Sequence, residues 1–232
     1  MKNGLVVHVH GVASPEEAEQ LEWLGVDLVG VVVGGRKAGR VMGGDEASAI
    51  ASRLKQARLC VESVNGTPAL DAKAAKRMGA QVVHVPWGTE VSRAWRESLA
   101  QEGLEWALVR VAADEDDDPA WVRGRLEELG APPPAWAQME ICPSLEDGWR
   151  IVRESNEDAL DARDLDAIAA ETPILFSLPL SLDKIREVRR GLSHARGFSF
   201  ALGDRLGEAP GAHHFTLEQI RALLSQFDAA VD

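Results

Sequence analysis

The span from Leu5 to Val33 constrains the fold more than any other part of the chain. An apolar run ends in His8-Val9-His10-Gly11, Ser14-Pro15-Glu16-Glu17 opens an amphipathic stretch, and Gly25 closes it before a second apolar run. A short β-branched run, a capped helix and another β-branched run make the βαβ unit of a parallel sheet, whose strands are buried on both faces.

The same alternation recurs along the chain at nearly regular spacing, which indicates repeated βα units and argues against a sandwich. The runs predict strands over Leu5 to Val9, Leu28 to Val33, Leu59 to Ser63, Gln81 to Val85, Trp106 to Val111, Ala137 to Ile141, Ile174 to Ser177 and Phe198 to Ala201. Helical patterns lie near Pro15 to Trp23, Gly44 to Leu54, Ala69 to Met78, Glu90 to Gln101, Pro119 to Leu129, Ala159 to Ala169, Leu182 to Leu192 and Leu217 to Gln226. Pro132 to Ala159 is the least regular stretch, because Pro132-Pro133-Pro134 and an acidic segment blur the sixth unit. Eight units in 232 residues, 45% of them apolar, fit one α/β domain over residues 1–232, a single (β/α)8 TIM barrel.

Composition excludes several functions. A formal charge of −12 repels phosphate backbones, which argues against nucleic-acid binding. No apolar run approaches the roughly 20 residues that span a bilayer, so no membrane role is expected. Two cysteines, Cys60 and Cys142, are too few for a disulfide framework. The expected compartment is a reducing cytoplasm, since the N-terminus lacks the pattern of a secretory signal. The chain has no tyrosine, so side-chain proton transfer falls to His, Asp, Glu, Cys or Lys.

The order of residues resembles the phosphoribosylanthranilate isomerases, single-domain (β/α)8 barrels of tryptophan biosynthesis. That family opens with Lys-x-Cys-Gly at the first strand end, a Ser/Arg-Pro-Glu-(Asp/Glu)-Ala helix start and a Gly-Ala-Asp-x-x-Gly-Phe second strand. Here the matching segments are His8-Val9-His10-Gly11, Ser14-Pro15-Glu16-Glu17-Ala18 and Gly25-Val26-Asp27-Leu28-Val29-Gly30, with His10 where the cysteine stands. The resemblance covers residues 5–65 and 173–228 and is faint between them. It implies a barrel, and a reaction that opens an aminoaldose and shifts protons in an Amadori rearrangement with a base, an acid and a phosphate anchor. The family's aspartate at the end of strand six has no counterpart in Met139-Glu140-Ile141-Cys142-Pro143, where Glu140 is the available carboxylate. Its Ser-Pro-Arg-Tyr-Val loop matches Arg40, which implies a carboxylate-binding arginine.

The phosphate turns depart furthest. In the family, backbone N–H groups of a Gly-Gly-Leu turn and a Ser-Gly turn hold the phosphate near a helix N-terminus. Here the first turn is Ser177-Leu178-Pro179-Leu180-Ser181, in which Pro179 has no N–H. The second keeps Gly203 but follows it with Asp204. Phosphoribosyl binding is therefore not expected.

Read on their own, the site candidates sit at predicted strand ends, where a barrel of this kind places its chemistry. His8 and His10 are two apart on a strand and share the inward face, leaving Val7 and Val9 to the helix layer. An imidazole there can be a buried structural group, a general acid or base, or a metal ligand together with His84, Glu140 or Cys142. Glu140, enclosed by apolar walls, could hold a proton near neutrality or form a structural ion pair. Glu62 in a strand interior needs a partner or a pocket. Trp87 follows strand four and suits a pocket wall, and His213 and His214 read as surface loop residues.

The expectation is a divergent isomerase-like barrel that acts on a small carboxylate-bearing molecule by proton transfer, without a cofactor. Its residues are His10 and Glu140 as the catalytic pair, with His8, Arg40, His84, Trp87 and Gly203 against the substrate. The alternatives are a non-catalytic binding or assembly module and a metal enzyme built on the strand-one histidines. Self-association into a homo-oligomer is left open.

Overall fold

A computed structural model describes residues 4–34, 39–64, 70–127, 131–143, 145, 147–154, 159–181, 184–203 and 214–229. In chain order the elements are β1 (Val6–His10), α1 (Pro15–Trp23), β2 (Leu28–Val33), β3 (Val41–Met42), α2 (Gly44–Arg53), β4 (Arg58–Ser63), α3 (Ala72–Arg77), β5 (Val82–Pro86) and α4 (Arg93–Gln101). They continue with β6 (Glu105–Ala113), α5 (Pro119–Glu127), β7 (Ala137–Ile141), α6 (Gly148–Arg153), α7 (Ala162–Glu171), β8 (Ile174–Ser177), α8 (Ile185–Gly191), β9 (Gly197–Leu202), β10 (His214–Phe215) and α9 (Leu217–Ala229).

Eight of the strands pair in parallel in the order β1-β2-β4-β5-β6-β7-β8-β9, and β9 returns to β1 from Val6 opposite Gly197 to His10 opposite Ala201. The sheet is thus the closed barrel that the eight expected units predict. The two-residue strands β3 and β10 extend it beside β2 and β9.

Local chemistry sets the helix ends. At α1, Ser14 Oγ accepts from the Glu17 N–H at 3.1 Å, Pro15 opens the helix, and Gly25 follows it at φ 88°. Asp71, Ser92 and Asp161 cap α3, α4 and α7 in the same way.

The structure adds two features to the sequence reading. The irregular stretch holds an extra short helix, α6, started by Asp147, whose side chain accepts from the Arg150 N–H. Strand β6 runs on to Ala113, because its register against β7 shifts between Leu108 and Val111, a bulge that lengthens the strand.

Two apolar layers result. Val7, Val9, Val29, Val31, Val61 and Phe198 face the helices in one large core. Inside the barrel, Leu28, Cys60, Val82, Ala107, Val109, Trp136 and Leu175 form a smaller cluster against Val6, toward the N-terminal ends of the strands. Below it opens a cavity of about 400 Å³ lined by Asp27, Arg58, Glu105 and Arg196. No helix among the described residues is long and apolar enough to cross a membrane.

Candidate functional site at the barrel mouth

Above the apolar floor the barrel interior becomes titratable. Strand alternation places His8 and His10 of β1, Glu62 of β4 and His84 of β5 on the inward face. The rings of His8 and His84 meet edge to face with centroids 5.0 Å apart, and His10 lies 5.7 Å from His84 and 6.0 Å from His8. Trp136 packs beneath, 5.2 Å from both His8 and His84. Gly30 of β2 leaves room for two of these rings, since a Cβ there would stand 2.7 Å from His10 Nδ1 and 2.8 Å from His8 Nε2.

His8 is fully buried, and its Nδ1 shares a 2.8 Å hydrogen bond with Ser199 Oγ. His10 is the rim member, its side chain 18% exposed and its Nε2 3.4 Å from Glu62 Oε2. Arg110 donates from a terminal nitrogen to the other oxygen of Glu62 at 2.6 Å. This guanidinium, 52% exposed, reaches into the mouth from the β6 bulge, where Arg110 takes a left-handed backbone with φ 62°. Glu62 was legible as a strand carboxylate in need of a partner. Arg110 was not, because only the bulge turns it inward.

Burial decides the charge states. It pushes His10 down to about 3, assisted by Arg110 and by His214. It holds His8 and His84 well below the usual imidazole range, with neighbouring His10 adding to the effect on both and His8 and Arg110 also acting on His84. All three imidazoles are therefore neutral at pH 7. Burial also raises Glu62, against the pull of Arg110. Glu140, half-buried at the end of β7, is raised by burial and by Glu62 and lowered by Arg110. Among the described residues, His8 Nε2, His10 Nδ1, both His84 nitrogens and Glu62 Oε2 are buried without a hydrogen bond.

Of the remaining expected residues, Arg40, Trp87 and Gly203 stand apart from this group. Arg40 already grips a carboxylate, donating to Glu17 at 2.9 and 3.2 Å and to the Gly11 carbonyl at 3.0 Å. Its fork pins the start of α1 to the β1 exit. Trp87 is half-buried after β5, with the Arg125 guanidinium over its ring at 5.4 Å. The Gly203 N–H donates to the Phe215 carbonyl at 3.2 Å and so ties β9 to β10. His214, expected on a surface loop, lies instead in strand β10 opposite Ala201 with its ring nitrogens buried, close enough to act on His10, whereas His213 and Asp204 fall outside the described residues. In the turn after β8, Leu178 and Leu180 are buried.

Fold and site together define a (β/α)8 barrel whose interior carries a neutral imidazole cluster and two carboxylates at its C-terminal mouth. The fold is that of the phosphoribosylanthranilate isomerases. The chain superposes on the enzyme of Pyrococcus furiosus with a TM-score of 0.69 at 17% identity, covering 97% of this chain and 99% of that one. The Thermococcus kodakaraensis enzyme gives 0.68 at 23% identity, with 98% of each chain covered. Thiamine phosphate pyrophosphorylase of Pyrococcus furiosus gives 0.59 at 13%, covering 100% of this chain and 99% of that one. No protein-family model matches the sequence, and no curated protein is significantly similar to it.

Proposed function

We propose that the protein is an enzyme that moves a proton on a small carboxylate-bearing molecule bound at the C-terminal mouth, an isomerisation or tautomerisation. The observation that carries this reading is the convergence of Arg110, Glu62, His10 and Glu140 from four different strands on one opening. Arg110 bonds Glu62 through one terminal nitrogen and keeps the rest of a half-exposed fork for the substrate carboxylate, whereas both terminal nitrogens of Arg40 are bonded. Glu140, with its carboxyl raised by burial, is the group suited to carry the proton. His10 presents a neutral imidazole to the reacting end, the form that polarises a carbonyl without itself being charged.

Two of the similar solved structures are named as isomerases of a phosphoribosyl compound and the third as an enzyme of a phosphate ester, but a phosphate is a poor fit here. Buried Leu178 and Leu180 flank Pro179, which has no N–H to donate, and the Gly203 N–H is already bonded. We therefore place the substrate among unphosphorylated acids, in a cytoplasmic protein with two unpaired, buried thiols.

The reading is tested by following deuterium uptake from D2O, by NMR, into a panel of enolisable carboxylic acids and N-glycosyl anthranilates with and without phosphate. Exchange is expected on an unphosphorylated acid and should fall by about 10²- to 10⁴-fold in Glu140→Gln. Exchange confined to phosphoribosylanthranilate would overturn the substrate assignment, and no exchange above buffer on any compound would overturn the reaction class.

A further inference from the structure

Five buried polar atoms without hydrogen bonds, gathered in one barrel, need a partner. Two groups of possible metal donors draw on these residues, His10–Glu62–His84 and, with Cys60 added, His8–Cys60–His84, and within each group the donor atoms are within 4.8 Å of one another. The two share His84, so one ion fills one of them.

We propose that His10, Glu62 and His84 form the binding site of a divalent transition-metal ion of the zinc type, with its open position facing the mouth. The donor set is two imidazoles and one carboxylate, three protein ligands in the pattern of a site that keeps a position for water or substrate. His10 Nε2 and Glu62 Oε2 already face each other at 3.4 Å, close to the separation of two ligands on a tetrahedral ion whose bonds are about 2.0–2.2 Å. Arg110 holds Glu62 through Oε1 and leaves Oε2 without a hydrogen bond, an outer contact that orients a ligating carboxylate. Both nitrogens of buried His84 lack a hydrogen bond, and Gly30 gives the His10 ring its place.

The lower group is the weaker competitor. His8 has one nitrogen committed to Ser199, and Cys60 is a thiol packed in the apolar cluster that would have to lose its proton. It also lies deeper, whereas His10 opens to solvent and gives the ion a way in. Among the described residues, Glu62 and Glu140 together outweigh the charge of Arg110 at the mouth when both are ionised, which favours a cation. For its use in catalysis the inference rests on the proton-transfer reading and changes one role in it: with His10 as a ligand, the ion in place of the imidazole would polarise the substrate oxygen while Glu140 moves the proton. For its existence it does not.

The test is equilibrium dialysis of the purified full-length chain against Zn2+ and, separately, Co2+, with metal content and the visible spectrum of the cobalt form measured on the same samples. One ion per chain is expected, with tetrahedral cobalt bands and no sulfur-to-cobalt charge-transfer band. Affinity should fall at least 100-fold in Glu62→Gln and His84→Ala and stay within threefold of wild type in Cys60→Ser. A charge-transfer band in the wild-type cobalt form, or loss of binding in Cys60→Ser, assigns the ion to the lower group and overturns the proposal. No stoichiometric binding by the wild-type chain also overturns it, and that outcome needs no variant to fold. Deuterium exchange that persists after a chelator has stripped the ion would sink the ion's use in catalysis and leave the proton-transfer reading intact. Metal bound without exchange on any substrate would sink that reading and leave the metal site standing.

Discussion

Arg110 combines two costs that a chain does not carry without compensation. A side-chain-bearing residue at φ 62° sits in a sparsely populated region, at an expense of order 1–2 kcal/mol, and glycine would remove it. The position keeps its charge instead, and the guanidinium lies 2.6 Å from a carboxylate that is 3% exposed. Arg110→Met retains the backbone strain and removes only the charge. It should lower the stability measured by urea denaturation by about 1–3 kcal/mol, with an unchanged slope, because Glu62 is left buried without its donor. An unshifted midpoint would mean that Glu62 does not depend on Arg110, and the mouth would lose its organising pair. Neither the strain nor the pairing can be read from Leu108-Val109-Arg110-Val111 in the sequence. In plain strand alternation, Arg110 would take a side set by Leu108 and Val111 together, and the two disagree until a bulge is placed between them.

At the scale of elements, the βα units are held in register by side chains that leave one unit and bond the backbone of the next. Glu22 near the end of α1 accepts from the N–H groups of Lys55, Gln56 and Ala57 at 2.7 to 2.9 Å, fastening α1 to the segment that enters β4. Burial pushes this carboxyl up, but the three backbone donors and the charge of Lys55 outweigh it, so it lies below its ordinary value. A group whose folded value is depressed contributes stability above the unfolded carboxylate range and loses it as pH falls through the folded value. Glu22→Ala should therefore lower Tm at pH 7 by about 3 °C, equivalent to about 1 kcal/mol after allowance for its partial exposure. The gap to wild type should close below about pH 4 in calorimetric scans, and a gap independent of pH would show that the contact is not electrostatic. Element types and order were legible because each unit carries its own periodicity and several carry their own cap, as Ser14-Pro15 does for α1. The short helix α6 was not legible, because its six residues are too few for a helical period to emerge from Gly148-Trp149-Arg150-Ile151-Val152-Arg153.

At the scale of the whole molecule, the barrel exists only once β9 meets β1, the contact of greatest sequence separation in the sheet. The last helix seals that seam. Phe227 of α9 packs its ring 5.4 Å from Phe198 and 6.4 Å from Phe200, and Ile220, Leu223 and Leu224 are buried beside it. Phe227→Ala should cost about 3–5 kcal/mol, and in hydrogen exchange the protection lost should concentrate on β1 and β9. Uniform loss over all eight strands would mean that the seam is no weaker than the rest of the sheet. The alternation of strands and helices, the inward face of β1 and the closed architecture were legible in the sequence, since these follow from local periodicity and from how many units the length holds. The sequence also placed His8, His10, His84, Glu62 and Glu140 on strands, which put them within reach of one another in any barrel. That Arg40 turns to Glu17, that Arg110 reaches Glu62 and that three imidazoles share one buried interior emerges only when the chain is folded. Those outcomes depend on distances across the barrel, on a register shift and on burial, and a linear pattern of residue types carries none of the three.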